Sequence, residues 1–358
     1  MRPRAAAPPS LTAIAARVDG RLRDLLDAEA ARWRAVDPAL VEPLEALRHL
    51  VDAGGKRLRP AFCYWGFVAA GGDPDDPQVV DVGAAFEMLH AFALVHDDVM
   101  DGSPTRRGAP TTHLAFADAH RAAGWRGEDR RFGEGAAILV GDMAHVYADV
   151  LLGDAPADAW AVWHELRLEL DVGQYLDLLG TARADRDRDA ARRIARYKSG
   201  KYTIERPLHV GAALAGRLGD LAGPLSAYGD PLGEAFQLRD DVLGAFGDPA
   251  RTGKPVGQDL REGKPTPLLA AAAERAAASP TGGRAAAVLD RVGEPDLTDA
   301  DVAALQHVLV DSGALAEIEA LVDELTGRAI DAIEAAEIAP EARDELVELA
   351  RYVASRDA

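Results

Sequence analysis

The sequence predicts an all-α protein, a single-domain bundle of roughly a dozen helices. Alanine and leucine are abundant, aromatic residues are only 6% of the chain and β-branched runs are short, so propensity favours helix nearly throughout. Apolar residues recur at helical spacing in one segment after another. No linker long enough to separate domains interrupts the 358 residues, and 48% hydrophobic composition is ample for a sizeable core.

Residues 1–10 are Pro-rich and are expected to be a mobile start, with one domain over 11–358. Residues 11–50 read as two amphipathic helices carrying Leu22, Leu26, Ala30 and Trp33. Gly54-Gly55 breaks the pattern. Lys56-Arg57-Leu58-Arg59-Pro60 then opens a helix, where three cations and free backbone N–H groups favour an anion. A strongly apolar helix over about 79–101 ends on Asp97-Asp98-Val99-Met100-Asp101.

Residues 102–135 are rich in glycine, proline and arginine and read as loop with a short helix, the helical pattern resuming near Ala136. The next helix, about 156–179, carries Gln174 and Asp177, and residues 183–193 read as a solvated helix start. Lys198-Ser199-Gly200-Lys201 follows, then a helix with Gly211 and Gly216, then the second acidic cluster, Asp240-Asp241-Val242-Leu243-Gly244. Residues 245–267 are dense in glycine, proline and paired charges, a composition suited to an active-site cover. An alanine-rich segment broken at Pro280-Thr281-Gly282-Gly283 and two or three amphipathic helices complete the chain.

A net charge of −19 argues against nucleic acid or an anionic membrane surface as partner. The single cysteine, Cys63, allows no internal disulfide and sits among Phe62, Tyr64 and Trp65, which reads as core in a reducing cytoplasm. No apolar signal core follows the basic start, and no run approaches the ~18 uninterrupted apolar residues of a membrane span. The expectation is a cytoplasmic protein without a span.

The acidic clusters carry the chemistry. Asp97 and Asp101 lie one turn apart on one helix face with Asp98 beside them, a patch of hard oxygen ligands that suits magnesium better than zinc. Magnesium usually completes its coordination with phosphate oxygens, so two such patches point to a diphosphate. Arg106 and Arg107 follow the first patch, and the guanidinium fork matches phosphate bidentately. A surface charge network is the commoner arrangement of Asp and Arg, but these acids continue an apolar face.

With these motifs, with Phe236-Gln237-Leu238-Arg239-Asp240-Asp241 and with Gly253-Lys254-Pro255, the chain resembles the trans-prenyltransferase family, the polyprenyl diphosphate synthases, from Gly54 onward. The resemblance implies an isoprenoid synthase bundle around a central cavity, usually as a homodimer. Its substrates would be an allylic diphosphate and isopentenyl diphosphate, and its cofactor magnesium, three ions in the family's pattern. Asp97, Asp101 and Asp240 match direct ligands, supported by Asp98 and Asp241. Arg106, Lys198, Lys254 and Lys264 match positions that contact the allylic diphosphate, with Ser199 beside Lys198 and Gln237 one turn before Asp241. Lys56, Arg59, His90 and Arg107 match the metal-free isopentenyl diphosphate site. Arg106, Lys198 and the five aspartates would carry the catalysis.

His90, two turns before Asp97, is weighed against a satisfied core histidine and taken as functional, whereas His96 is read as structural. Gln174 and Asp177 either border the allylic site or form a helix-surface pair. Gly244 stands where many relatives have a third aspartate, which leaves the second metal arm looser but active. Phe92 lies roughly 7 Å below Asp97 along the helix and reads as a floor for the growing tail. In the family an aromatic residue there accompanies short products, and small Ala93 beside it deepens the pocket, pointing to geranylgeranyl diphosphate, then farnesyl diphosphate. If Phe92 is ordinary core packing, the length argument falls and the reaction class stands.

Two other readings share part of the pattern. A class I terpene cyclase has the first acidic motif, but its second metal motif needs asparagine, which this chain lacks entirely, and it needs no isopentenyl site. A non-catalytic regulatory subunit would show losses among the cationic positions, and none is lost.

Overall fold

A computed structural model of the chain describes residues 7–247, 256–280 and 282–355. These are helical apart from connections and one hairpin, Thr105–Arg106 paired antiparallel with Ala109–Pro110. The all-α expectation holds.

Helix α1 (Pro9–Arg34) begins within the segment expected to be mobile, because proline is suited to a first helical turn whose N–H groups lack partners anyway. It buries Val18, Leu22 and Leu26. After α2 (Glu42–Asp52) and α3 (Leu58–Ala69) comes α4 (Pro77–Asp101), with Asp76 capping its first turn. Its lower half is mostly apolar, as in a core helix, with Val82, Phe86, Met88 and Leu89 fully buried and Glu87 the charged residue buried among them. Gly102 ends it in the left-handed conformation, φ 63°, so that the acidic end stops beside the cavity described below.

The segment 102–135 is more helical than its composition implied. It forms α5 (Thr112–Ala123) and the start of α6 (Asp129–Leu152). Charge and glycine in the first turns of α6 mask the pattern, and its buried face begins at Gly133. α4 and α6 are long and apolar enough to cross a membrane by length and composition, but 61% of that window in α4 is buried inside the protein, as in any core helix.

α7 (Ala157–Ala182) and α8 (Arg188–Ile194) lead into a π-helix, Ala195–Glu205, followed by α9 (Arg206–Leu214) and α10 (Leu218–Phe246). The π-helix is wedged between glycines. A Cβ on Gly173 of α7 would strike the Lys198 backbone, and one on Gly200 would lie 3.0 Å from the Gly233 backbone of α10. The remaining helices are α11 (Gln258–Glu262), α12 (Pro267–Ala278), α13 (Gly283–Leu289), α14 (Asp299–Asp311), α15 (Ala314–Glu334) and α16 (Pro340–Ser355). α10 contributes to both apolar clusters of the core, with Leu232 and Phe236 in one and Leu238 and Val242 in the other.

Candidate active site

A cavity of about 740 Å³ lies between the loop before α3, the end of α4, α7, the π-helix, α10 and α11. Two kinds of surface line it, one built on carboxylates and one on cations.

On the acidic side, oxygens of Asp97 and Asp101 from α4 and of buried Asp177 from α7 lie within 4.8 Å of one another. Lys198 Nζ donates to Asp97 Oδ1 at 2.9 Å and to Asp177 Oδ2 at 2.6 Å, while Lys264 Nζ donates to Asp101 and, at 3.4 Å, to Asp177. Gln174 Nε2 adds a bond to Asp97 Oδ1 at 3.1 Å. Burial disfavours ionised Asp97, but Lys198, Lys264 and Arg106 outweigh it and hold its carboxyl well below the usual range. Asp101 is shifted the other way, raised by burial with Asp97 adding to the effect while Lys264 opposes it. Burial would discharge Lys264, yet Asp177, Asp97 and Asp101 push its pKa well above that of a free lysine.

Asp98 is buried behind this cage and does not line the cavity. It grips Arg106 through Nη2 at 2.7 Å and Nε at 2.8 Å, turning the guanidinium along the rim, where Nη2 reaches Asp97 at 3.4 Å.

Asp240 and Asp241 of α10 face the same cavity. Gln237 Nε2 donates to Asp241 Oδ1 at 2.7 Å, whereas the buried Asp241 Oδ2 has no hydrogen-bond partner among the described residues. Burial, with Asp259 and Asp240 nearby, pushes the Asp241 carboxyl well up. All-oxygen donors at close range and an orphaned carboxylate oxygen fit a hard divalent cation such as magnesium.

The cationic side is anchored by Arg57, which the sequence grouped with Lys56 and Arg59 as a cation favouring an anion and which the structure instead pairs inside the protein. With φ 50° it stands in the left-handed region at the start of α3, and its buried guanidinium pairs with buried Glu87 of α4 at 2.5 Å, with Asp19 at 2.8 Å and with the Val51 carbonyl at 2.8 Å. Lys56 and Arg59 on either side line the cavity. Arg59 lies 4.2 Å over the Tyr202 ring and donates to Thr203 Oγ1 at 3.0 Å, both on the π-helix. Arg107, also left-handed at φ 52°, donates to the carbonyls of Leu50 (3.3 Å) and Gly54. His90 Nδ1 is buried without a hydrogen-bond partner among the described residues, and burial together with Arg59, Arg107, Arg106 and Arg57 drives its pKa well below the ordinary value, so the ring is neutral.

The structure therefore gathers Lys56, Arg59, His90, Asp97, Asp101, Arg106, Arg107, Lys198, Ser199, Gln237, Asp240, Asp241 and Lys264 around one cavity. Lys254 lies outside the described residues. Phe92 and Ala93 do not line the cavity, whose α4 wall is Glu87, His90, Leu94, Asp97 and Asp101; Phe92 stacks on His145 of α6 at 4.6 Å. Gln174 and Asp177 belong to the cage and not to a surface pair. His96 is structural, with Nε2 3.0 Å from the Ile138 carbonyl, and Cys63 is buried with its thiol pKa pushed far up by burial. Glu87 and Asp259 also line the cavity, unannounced by any motif.

A helical bundle that sets a carboxylate cage opposite a cluster of cations in one cavity suits an enzyme acting on two diphosphates. The chain belongs to the polyprenyl synthetase family, whose sequence model matches residues 42–299. It is accordingly a prenyltransferase of the short-chain prenyl diphosphate synthase class. A geranylgeranyl pyrophosphate synthase from Corynebacterium glutamicum, complexed with isoprenyl diphosphate and magnesium, superposes with a TM-score of 0.90 at 38% identity, covering 96% of this chain and 99% of that one. The geranylfarnesyl diphosphate synthase of Aeropyrum pernix is 35% identical over 75% of this chain and 79% of its own. The geranylgeranyl diphosphate synthase of Mycobacterium tuberculosis is 36% identical over 63% of this chain and 61% of its own.

Proposed function

We propose that the protein condenses an allylic diphosphate with isopentenyl diphosphate and that its product is geranylgeranyl diphosphate, with farnesyl diphosphate the next candidate. The observation that carries this reading is the division of one cavity into a carboxylate–lysine cage and a carboxylate-poor cationic pocket.

Asp97, Asp101 and Asp177 would hold magnesium from one side and Asp240 from the other, with Asp98 and Asp241 in support, as a cluster of three ions in the family's pattern. When bound, magnesium supplies positive charge to the departing diphosphate. Arg106, Lys198 and Lys264 add fixed cations to the same oxygens, with Ser199, Gln237 and Lys254 at neighbouring family positions, and stabilise charge as the allylic C–O bond breaks. Lys56, Arg59 and Arg107 hold the isopentenyl diphosphate by charge, while neutral His90 offers a hydrogen bond. The isopentenyl double bond closes on the allylic carbon, and the proton then lost passes to the released diphosphate. The apolar walls formed by Leu94, Phe236 and Leu243 help keep water from the cation.

Relatives named as geranylgeranyl diphosphate synthases support the short product, whereas Phe92, packed on His145 outside the described cavity, lends that length no support. A cytoplasmic homodimer is part of the proposal. Leu139, Val146 and Val150 form an exposed apolar strip on α6, continued by Leu168, Val172 and Tyr175 on α7, as a subunit contact requires.

Incubation with dimethylallyl, geranyl and farnesyl diphosphates in turn, each with isopentenyl diphosphate and magnesium, followed by product sizing, tests the reading. Geranylgeranyl diphosphate as the end product supports it. Cyclised hydrocarbon, or no consumption of isopentenyl diphosphate, contradicts it.

A further inference from the structure

We propose that Glu169 of α7, which does not line the cavity, is a positioning residue. It holds the π-helix Ala195–Glu205 in the form that presents Lys198 to one diphosphate site and Thr203 to Arg59 of the other. The inference rests on the proposed division of the cavity into two diphosphate sites.

Glu169, Gly173 and Asp177 follow one another at intervals of four residues and so share one face of α7. That face lies along the π-helix. At one end Asp177 Oδ2 accepts from Lys198 Nζ at 2.6 Å, and in the middle bare Gly173 lets the Lys198 backbone approach so closely that a Cβ would sit 2.3 Å from its nitrogen. At the other end Arg206 Nε and Nη2 donate to the two Glu169 oxygens at 2.7 Å each, a bidentate fork. The Lys201 ammonium lies 2.9 Å from Glu169 Oε1 and 3.2 Å from Glu205 Oε2, and Ser226 Oγ of α10 donates to Glu205 Oε1 at 2.7 Å. Burial disfavours the Glu169 charge, but Arg206 and Lys201 outweigh it and keep the carboxyl below its usual range. Lys201 stands in the same sequence motif as Lys198, yet it serves this buried network and not the cavity.

The spacing of the cations ties the network to the π form. Lys201 and Arg206 are five residues apart, and in an α-helix side chains at that spacing diverge by about 140°, away from a shared carboxylate. The wider turn of a π-helix, bonded i→i+5, brings them back to one side. Lys198 and Thr203 have the same spacing. Lys198 reaches Asp97 at 2.9 Å, while Thr203 Oγ1 accepts from Arg59 Nη2 at 3.0 Å. The turn that lets Glu169 grip two cations is therefore the turn that serves both substrate sites at once.

Glu169→Gln, Glu169→Gln/Arg206→Gln and Arg206→Lys are compared with the wild-type enzyme in steady-state kinetics for each substrate and in amide hydrogen exchange. The double variant leaves Lys201 paired with Glu205, so no ion is stranded if the single change unfolds the protein. A variant that is only less stable loses active molecules, which lowers kcat and leaves both KM values parental. The first two variants are expected to raise KM for both substrates and to lower kcat/KM by on the order of 10- to 100-fold, with faster exchange over residues 195–206. Arg206→Lys, which keeps a cation on Glu169, is expected to show a smaller rise in both. Parental KM values, a rise for one substrate alone, or raised values with unchanged exchange over 195–206 overturn the inference. Wild-type enzyme that consumes neither substrate defeats the two-site reading itself, and the inference falls with it.

Discussion

The carboxylate of Asp259 occupies the space in front of Gly244, so that a Cβ built on Gly244 would run into Asp259 Oδ2. At the position where the family's pattern has a third aspartate in the second motif, this chain has a bare backbone and an acid delivered from α11. Gly244→Asp, which restores the family's pattern in sequence, is expected to weaken the enzyme. The new side chain must displace the Asp259 carboxylate, the movable end of a flexible side chain, and sets a second acid beside it, whose like charge opposes ionisation of both. Urea unfolding and turnover at limiting magnesium check this, and a Gly244→Asp enzyme more active than the parent contradicts it.

Asp97→Ala and Asp177→Asn are expected to lower turnover by on the order of 100-fold or more, since each removes a carboxylate of the proposed metal cage. Folding survives in Asp97→Ala because Lys198 keeps Asp177 and no core cavity opens. Steady-state rates with circular dichroism distinguish the two effects, and a variant that keeps parental turnover removes that aspartate from the metal site.

The Arg57–Glu87 pair, with side chains 5% and 4% exposed, holds the loop that presents Lys56 and Arg59. Breaking such a buried pair costs about 3–5 kcal/mol, whereas replacing both partners by apolar residues restores much of that stability. Glu87→Gln is expected to raise KM for isopentenyl diphosphate by on the order of tenfold with little change for the allylic substrate, a loss of about 1.4 kcal/mol in binding. Arg57→Met/Glu87→Leu should regain stability but keep the raised KM. Equal changes in both KM values would show that the pair only supports the fold.

His90 gives the stability a pH dependence of known sign. Its folded pKa is depressed, so above the unfolded value of about 6.5 both states are neutral and the contribution is intact. As pH falls below that value the unfolded chain takes up a proton that the folded chain refuses, and stability drops by up to about 1.4 kcal/mol per pH unit until the folded pKa is reached. His90→Gln should flatten this slope in unfolding experiments between about pH 7 and pH 5. An unchanged slope assigns the dependence to other groups.

Much of this was legible along single helices. The apolar run ending in Asp97 and Asp101 defined α4, and His90, Leu94, Asp97 and Asp101, at helical spacing, share its cavity face. What spans distant segments was hidden. Arg57 and Glu87 stand thirty residues apart, and nothing local marks either as the other's partner. The π-helix depends on Gly173 and Gly233, contributed by two other helices, so no local propensity announces it. Asp177 was indistinguishable from a surface acid because the Lys198 that claims it arrives on that same π-helix.

The central claim is that one cavity holds two unlike diphosphate sites, one needing metal and one not. Calorimetric titration of the wild-type protein with a non-cleavable allylic diphosphate analogue and with isopentenyl diphosphate, each with magnesium and with chelator, tests it directly. The account predicts that chelator abolishes binding of the allylic analogue and leaves isopentenyl diphosphate binding nearly unchanged. Equal dependence of both ligands on magnesium, or of neither, would contradict it.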